Sequence, residues 1–205
     1  GGGGETNLPF SPVLANLSVL PASNGLNLPG YMVAGDSTKL NSNNWGGTGT
    51  TVVTWYPFYS YSGGTLEEIQ LRVSTGTAAD LKVALYDTSD TTGEPNNLLQ
   101  ENNFGNTANN TSYTWTAQQT VTANKFYWFA MMGMASKPTI NFYPDTAVVG
   151  QLGSVATAAN YSVNRTVALY QTGLSAGTFP NPPTPGAFTA ATSYDGIPNM
   201  GFWFI

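Results

Sequence analysis

Apolar and polar residues alternate strictly along two stretches of this chain. Ile69, Leu71 and Val73 are interleaved with Gln70, Arg72 and Ser74, and Leu81, Val83 and Leu85 with Lys82, Ala84 and Tyr86. A period of two sends successive side chains to opposite sides of an extended backbone, so each stretch is predicted as a half-buried strand, apolar face inward and polar face outward. The same alternation carries Tyr113, Trp115 and Ala117 against Thr114 and Thr116, then Ile140-Asn141-Phe142, and then Val163, Arg165, Val167 and Leu169 against Asn164, Thr166, Ala168 and Tyr170. Phe126 to Met132 is apolar at every position. It is therefore expected to be a central strand or one that lies in an interface. Thr51 to Ser60 reads as a strand in which Pro57, unable to donate to a ladder, marks an edge or a bulge. The apolar end, Gly201 to Ile205, is expected to be tied into a sheet as a final strand.

Between these runs lie breakers. Leu40 to Thr50, Gly63-Gly64, Gly76 and the Gly93-Glu94-Pro95-Asn96 segment read as turns, Asn102 to Thr111 as a polar loop, and Pro180 to Gly186 as irregular. No stretch has a helical period. About eight to ten short strands separated by turns predict an all-β fold, an antiparallel β-sandwich of jelly-roll type. Residues 1–50 differ in character. Gly1 to Gly4 is a linker-like run, and Pro9, Pro12, Pro21 and Pro29 oppose helix and suggest an extended arm. The arm's Leu14, Leu17, Leu20, Leu26 and Leu28 need burial, for which a neighbouring subunit is the expected site. The chain thus divides into a linker and arm, 1–50, and a sandwich domain, 51–205. Gly1 is not an initiator residue, which leaves upstream sequence open.

Composition narrows the chemistry. The 205 residues include neither Cys nor His, which removes disulfides, thiolate nucleophiles and the side chain most used for proton transfer near neutral pH. Charged residues are 8% of the chain, against 41% hydrophobic, so the surface is built from Asn, Thr, Ser and Gly rather than ions. Such a surface suits a static, assembled exterior protein. Lys39, Arg72, Lys82, Lys125, Lys137 and Arg165 are dispersed, so no basic footprint for nucleic acid is present. The longest apolar run, Phe126 to Met134, is too short to insert across a bilayer as a helix.

Candidate catalytic groups are few. Glu67 and Glu68 are adjacent on a predicted strand, so their side chains are expected on opposite faces. Asp87, Asp90 and Glu94 share one turn and are read as a solvated, capped turn in preference to a catalytic or Ca²⁺ site. Gly46 to Thr50 is Gly-rich, but no Lys follows it and no helix begins there, so it is a loop and not a phosphate cradle. No activated Ser or Thr can be named, and no enzyme activity, cofactor or metal is expected. The better candidates are aromatic: Trp45, Trp55, Tyr56, Tyr59, Tyr61, Trp115 and Trp203, placed by sequence in loops or at strand ends. Exposed Trp and Tyr stack on sugars and anchor interfaces. The Asn-rich stretch around Asn102, Asn103, Asn106, Asn109 and Asn110 offers hydrogen bonds to a glycan, and sequons at Asn16, Asn109, Asn110 and Asn164 are expected by chance in so Asn/Thr-rich a chain.

Several blocks occur in one order: Trp55-Tyr56-Pro57-Phe58-Tyr59, Thr65 to Val73, Leu81 to Asp87, Gly93-Glu94-Pro95-Asn96-Asn97-Leu98-Leu99, and Lys125 to Ala130. Together they resemble a β-sandwich domain of tailed-phage virion proteins, of the tail-fibre and appendage type, in which a strand ending in Tyr-Asp leads into a Gly-x-Pro turn and a Leu pair. The resemblance covers about 51–205, with Asn96 where the pattern often has Gly. It implies a structural or host-attachment role on the exterior of a bacteriophage virion and a frequent homotrimer; other virion proteins, and a host surface glycan, are the partners such a role would bring. Capsid decoration or a head fibre, and a carbohydrate-binding module of a secreted protein, are the alternative readings. The resemblance supplies no catalytic residues.

Overall fold

The computed structural model describes residues 26–27, 41–43, 51–60, 63–76, 80–143, 169–190, 197–198 and 200–204. Within them the chain is all strand and turn. The strands are β1 (Leu26–Asn27), β2 (Asn41–Asn43), β3 (Val53–Ser60), β4 (Gly64–Thr75), β5 (Asp80–Thr88), β6 (Pro95–Asn106), β7 (Thr111–Val121), β8 (Lys125–Gly133), β9 (Thr139–Tyr143), β10 (Leu169–Gln171), β11 (Thr189–Ala190), β12 (Ile197–Pro198) and β13 (Met200–Phe204). They form two antiparallel sheets, as the alternation predicted. The first runs β1-β13-β4-β9-β12, with β7 on the other side of β4 and β2 against β9; the second runs β11-β10-β3-β8-β5-β6. The predicted strand at 163–170 lies outside the described residues except for its end in β10, as does most of the arm, Leu14, Leu17, Leu20 and Leu28 included. Leu26 is the exception, its backbone pairing with Trp203 at the edge of the first sheet.

The two sheets close on a core drawn from both. Ile69, Leu71 and Val73 of β4 and Trp115 and Ala117 of β7 meet Tyr56 and Phe58 of β3, Val83 and Leu85 of β5, and Phe129 and Met131 of β8. Phe202 of β13 stacks on Phe58 at 4.3 Å between ring centroids and meets Phe129 edge-on at 6.1 Å. The terminal strand is thus held by ring contacts as well as by its ladder with β4.

A second apolar layer lies on the outer face of the second sheet. Val53 and Trp55, Ala84 and Tyr86, and Trp128, Ala130 and Met132 point away from the core, and all are buried. What covers them is the Pro-rich segment 172–188, which contributes Phe179 together with the half-buried Leu174 and Phe188. Burial on both faces explains why β8 is apolar from Phe126 to Met132. β8 is central, paired with β3 on one side and β5 on the other. It also corrects the expectation for β5: Leu81, Val83 and Leu85 do face the core, but Ala84 and Tyr86 are fully buried and do not face solvent.

The covering segment is a flap with a closed base. Its ends leave from β10 and β11, which pair with each other through Leu169↔Ala190 and Tyr170↔Thr189. From that base it reaches across β3, β8 and β5 to β6. Leu174 N donates to Thr51 O at 3.1 Å, the Tyr86 hydroxyl to Pro180 O at 2.8 Å, and Leu98 N to Asn181 Oδ1 at 3.2 Å. Lys82 Nζ donates to Gly177 O at 2.8 Å while pairing with Glu101 at 3.1 Å. Pro supplies carbonyls without N–H groups, so a Pro-rich chain can lie on an apolar face with few donors to satisfy.

Three further expectations change. Asn41 to Asn43, expected within a turn, form β2 and pair with β9. The polar stretch after Glu101 is not a loop from Asn102 onward: β6 continues to Asn106, and only Asn109 and Asn110 lie in the turn to β7. The alternation of β4 also slips, because the core-facing Leu66 and Ile69 are three residues apart. Against β13 the extra residue lies in β4, between Trp203↔Glu68 and Phe204↔Leu66, whereas against β7 it lies in β7, between Leu66↔Gln119 and Glu68↔Thr116, where Gln118 takes φ +50°. Pro57 sits, as expected, where β3 is an edge: among the described residues β10 flanks only Val53, Thr54 and Trp55.

Candidate functional sites

The sequence candidates scatter. Trp55, Tyr56 and Trp115 are at 0%, 1% and 6% exposure, each inside a strand, so none is a surface aromatic. Tyr56 and Trp115 belong to the core between the sheets, and Trp55 to the layer under the flap. The reason is phase. Trp55 shares its face with Val53, and Trp115 shares its face with Ala117. Tyr59 and Trp203 are strand residues whose side chains lie outside the described part, and Trp45 and Tyr61 lie wholly outside it.

The three turn carboxylates do not converge on a common ligand site; each has its own structural task. Asp87 accepts from Asn97 N at 2.7 Å and from Asn97 Nδ2 at 2.9 Å, tying the end of β5 to the start of β6. Asp90, at the exposed tip, pairs with Lys125 at 3.4 Å, and Glu94 Oε2 accepts from Gly186 N of the flap at 3.4 Å. Ser89 organises the turn between them: its carbonyl accepts from Gly93 N at 2.8 Å, its N–H donates to Glu94 O at 2.9 Å, and its hydroxyl receives Thr91 N and Thr92 N. Gly93 takes φ +74°, a conformation an L side chain rarely adopts. Glu67 and Glu68 lie between the core-facing Leu66 and Ile69. Both are half-buried.

Two outer faces remain, and they differ in kind. The second sheet's outer face is aromatic and closed by the flap. Under it, Trp55 and Tyr86 meet edge-on at 5.9 Å and Trp55 and Phe188 at 5.2 Å. The indole N–H groups of Trp55 and Trp128 and the Gln171 side-chain carbonyl are buried there without a hydrogen-bond partner among the described residues. The first sheet's outer face is polar. On β7, Ser112, Thr114, Thr116, Gln118 and Thr120 are all exposed, at every second residue. Across the ladder, Arg72 stands opposite Ser112, Gln70 opposite Thr114 and Glu68 opposite Thr116. Arg72 Nη1 donates to Ser112 Oγ at 3.4 Å. Alternation in β7 puts apolar Trp115 and Ala117 inward and leaves a row of hydroxyls outward, two residues or about 7 Å apart. This face was legible in the sequence as Thr114 and Thr116 alternating with Trp115; what sequence did not reveal is that Gln70 and Arg72 of β4 line up beside them.

The face can donate and accept hydrogen bonds through neutral groups, with one guanidinium and one carboxylate beside them. Among the described residues no three carboxylates come together to hold a metal ion. Compared with known protein families the chain matches none, and a comparison with curated proteins also yields no match.

Proposed function

We propose that this chain is a non-enzymatic structural protein of the virion surface of a tailed phage, a fibre or appendage domain that contacts the host through the polar outer face of its first sheet. The observation that carries the reading is the exposed row Ser112, Thr114, Thr116, set in register beside Arg72, Gln70 and Glu68. Hydroxyls, an amide and a guanidinium in a flat array suit the hydroxyls and ring oxygens of a surface glycan. The resemblance supports the same reading: its blocks fall on β3, β4, β5, the turn into β6, and β8. The absence of His and Cys from the sequence leaves little for acid–base or thiol chemistry.

A homotrimer belongs to the proposal, now on narrower support. The doubly apolar β8 no longer calls for a partner, since the flap covers its outer face. The leucines of the arm are the remaining argument, and they also suit docking on other virion proteins.

Light scattering of residues 1–205 beside residues 51–205 tests the assembly, and binding of the full chain to bacterial surface polysaccharide tests the contact. A trimer with saturable glycan binding is the expected result. A monomer in both forms would remove the fibre reading. With glycan binding, that monomer would point to a carbohydrate-binding module. A monomer that instead captures capsid protein through the arm would make it a decoration or head-fibre protein.

A further inference from the structure

Beneath the flap, three side chains of complementary chemistry meet on the outer face of the second sheet, away from the polar face of the first. Lys82 of β5 and Asn103 of β6 are direct partners across the ladder. Partners of this kind hold their Cβ atoms about 5 Å apart, well within the reach of a lysine stem. The Lys82 side chain is 13% exposed, with Nζ 3.1 Å from Glu101 Oε1, 2.8 Å from Gly177 O and 5.7 Å from the centre of the Phe179 ring. Asn103 reaches the same place. Its Nδ2 donates to Met134 Sδ at 3.6 Å, and Met134 follows Gly133, the β8 partner of Leu81. The Asn103 and Met134 side chains therefore meet across β5, beside Lys82. Met134 in turn lies against Gly177, whose carbonyl holds Lys82: a Cβ added at Gly177 would be 3.2 Å from Met134 Cγ. The Asn103 amide is also polarised. Its Oδ1 accepts from Gly105 N at 2.8 Å, where β6 carries the extra residue Phe104 and Gly105 takes φ +65°.

We propose that Lys82, Glu101 and Asn103 are a self-modifying site, which joins Lys82 to Asn103 by an isopeptide bond. The Glu101 carboxylate takes a proton from the Lys82 ammonium across their contact. The freed amine attacks Asn103 Cγ, and the Gly105 N–H holds the oxygen on which charge develops. Glu101 passes its proton to Nδ2, then takes the surplus proton of Nζ and passes that on as well. The Cγ–Nδ2 bond breaks and one ammonium ion leaves. Glu101 ends as the carboxylate it was, and nothing is oxidised or reduced. Asn103 is exposed, so the ammonium has an open way out.

The bond falls where a staple is useful. Among the described residues β6 ends its sheet and pairs only with β5, and the chain has no cysteine with which to tie such an edge. Linking Lys82 to Asn103 closes the chain between them into a loop and restricts the unfolded state as a disulfide does.

Mass spectrometry of the full chain, folded, incubated and then denatured, tests the bond. The expected mass is one ammonia below that of the sequence, and a digest should yield one branched peptide joining the Lys82 and Asn103 segments. Lys82→Arg keeps a cation for Glu101 and Gly177 O but offers no amine, so it should keep the full mass of its own sequence. Glu101→Gln should lose ammonia about a hundredfold more slowly than the parent, as expected on removing a proton carrier. The proposal is overturned if the parent chain keeps its full sequence mass after days of incubation, or if the ammonia loss maps to any other asparagine. The parent mass and its digest decide the matter even where a variant fails to fold.

Discussion

Tyr86 shows how one residue ties the flap to the sheet. Its ring fills the outer layer at 0% exposure and its hydroxyl donates to Pro180 O at 2.8 Å. Tyr86→Phe keeps the ring and removes the bond, leaving the carbonyl to water or to burial. The expected loss is about 1 kcal/mol, with faster amide exchange confined to the flap and the adjoining β6, and little change in β4 or β7. Two buried groups also set a pH dependence. Burial, reinforced by the negative charge of Glu101, pushes the Tyr86 phenol well above its ordinary 10.0. The folded state then resists ionisation that the unfolded state undergoes, so the stability Tyr86 contributes is complete below about pH 10 and is lost above it. Burial pulls the Lys137 ammonium down from 10.5 to about 8. Its folded form binds fewer protons than its unfolded form between those values, so stability rises with pH across that window. The two effects predict a maximum near pH 10 in urea-unfolding free energies. Tyr86→Phe should flatten the alkaline side and Lys137→Met the neutral side; unchanged profiles in both variants would refute the assignment.

At the scale of elements, turns and bulges decide where the strands point. Gly93 and Gly76 look alike in the sequence, yet they fail differently when substituted. At Gly93 a Cβ would meet nothing within 4 Å, and the difficulty is φ +74° alone. At Gly76 a Cβ would come within 2.6 Å of Thr107 Oγ1 and 2.8 Å of the Thr107 carbonyl. Gly93→Ala should cost about 1–2 kcal/mol, and Gly93→Asn should recover much of it because Asn tolerates that conformation. Gly76→Ala should cost about 1–3 kcal/mol through overpacking, and Gly76→Asn should be worse. Urea midpoints of the four variants separate the two mechanisms. The same scale explains what the sequence disclosed. Strands β4, β5, β7 and β8 were readable because period-two alternation, or its absence in β8, is set locally by which side chains must leave water. The bulge at Glu67–Glu68 shows in the sequence only as a three-residue step from Leu66 to Ile69, a signal that is easily read as noise. The burial of Trp55 and Tyr86 was not readable from their own strands, because their cover, with Phe179 and Phe188, lies far along the chain in a Pro-rich stretch that has no period. Trp55 was misplaced for that reason, Tyr56 and Trp115 because their strands turn them into the core between the sheets, and the polar face was found only in part, since its β4 half is set by long-range pairing with β7.

For the whole molecule, the contrast between the two outer faces is the basis of the functional proposal. A face buried under its own chain cannot meet a host receptor unless the flap opens, whereas the face of Ser112, Thr114 and Thr116 is exposed as it stands. The two can be challenged separately. Thr114 and Thr116 lie outward on β7 opposite Gln70 and Glu68, so replacing both by Lys alters the face without entering the core. Exposed substitutions of this kind normally change stability by no more than about 0.5 kcal/mol each. Lys also covers more surface than Thr and brings a strongly hydrated charge to a largely neutral array, which crowds and dehydrates poorly against an uncharged sugar. The double variant should therefore unfold at nearly the wild-type urea midpoint and keep its assembly state, while binding to surface polysaccharide falls at least tenfold. Phe179→Ala should do the reverse: it removes a buried ring at about 3–5 kcal/mol, loosens the flap, and leaves glycan binding by the remaining folded protein unchanged. If the β7 variant binds as well as the parent, contact with the host does not run through this sheet face, and the loops at the ends of the sandwich become the place to look.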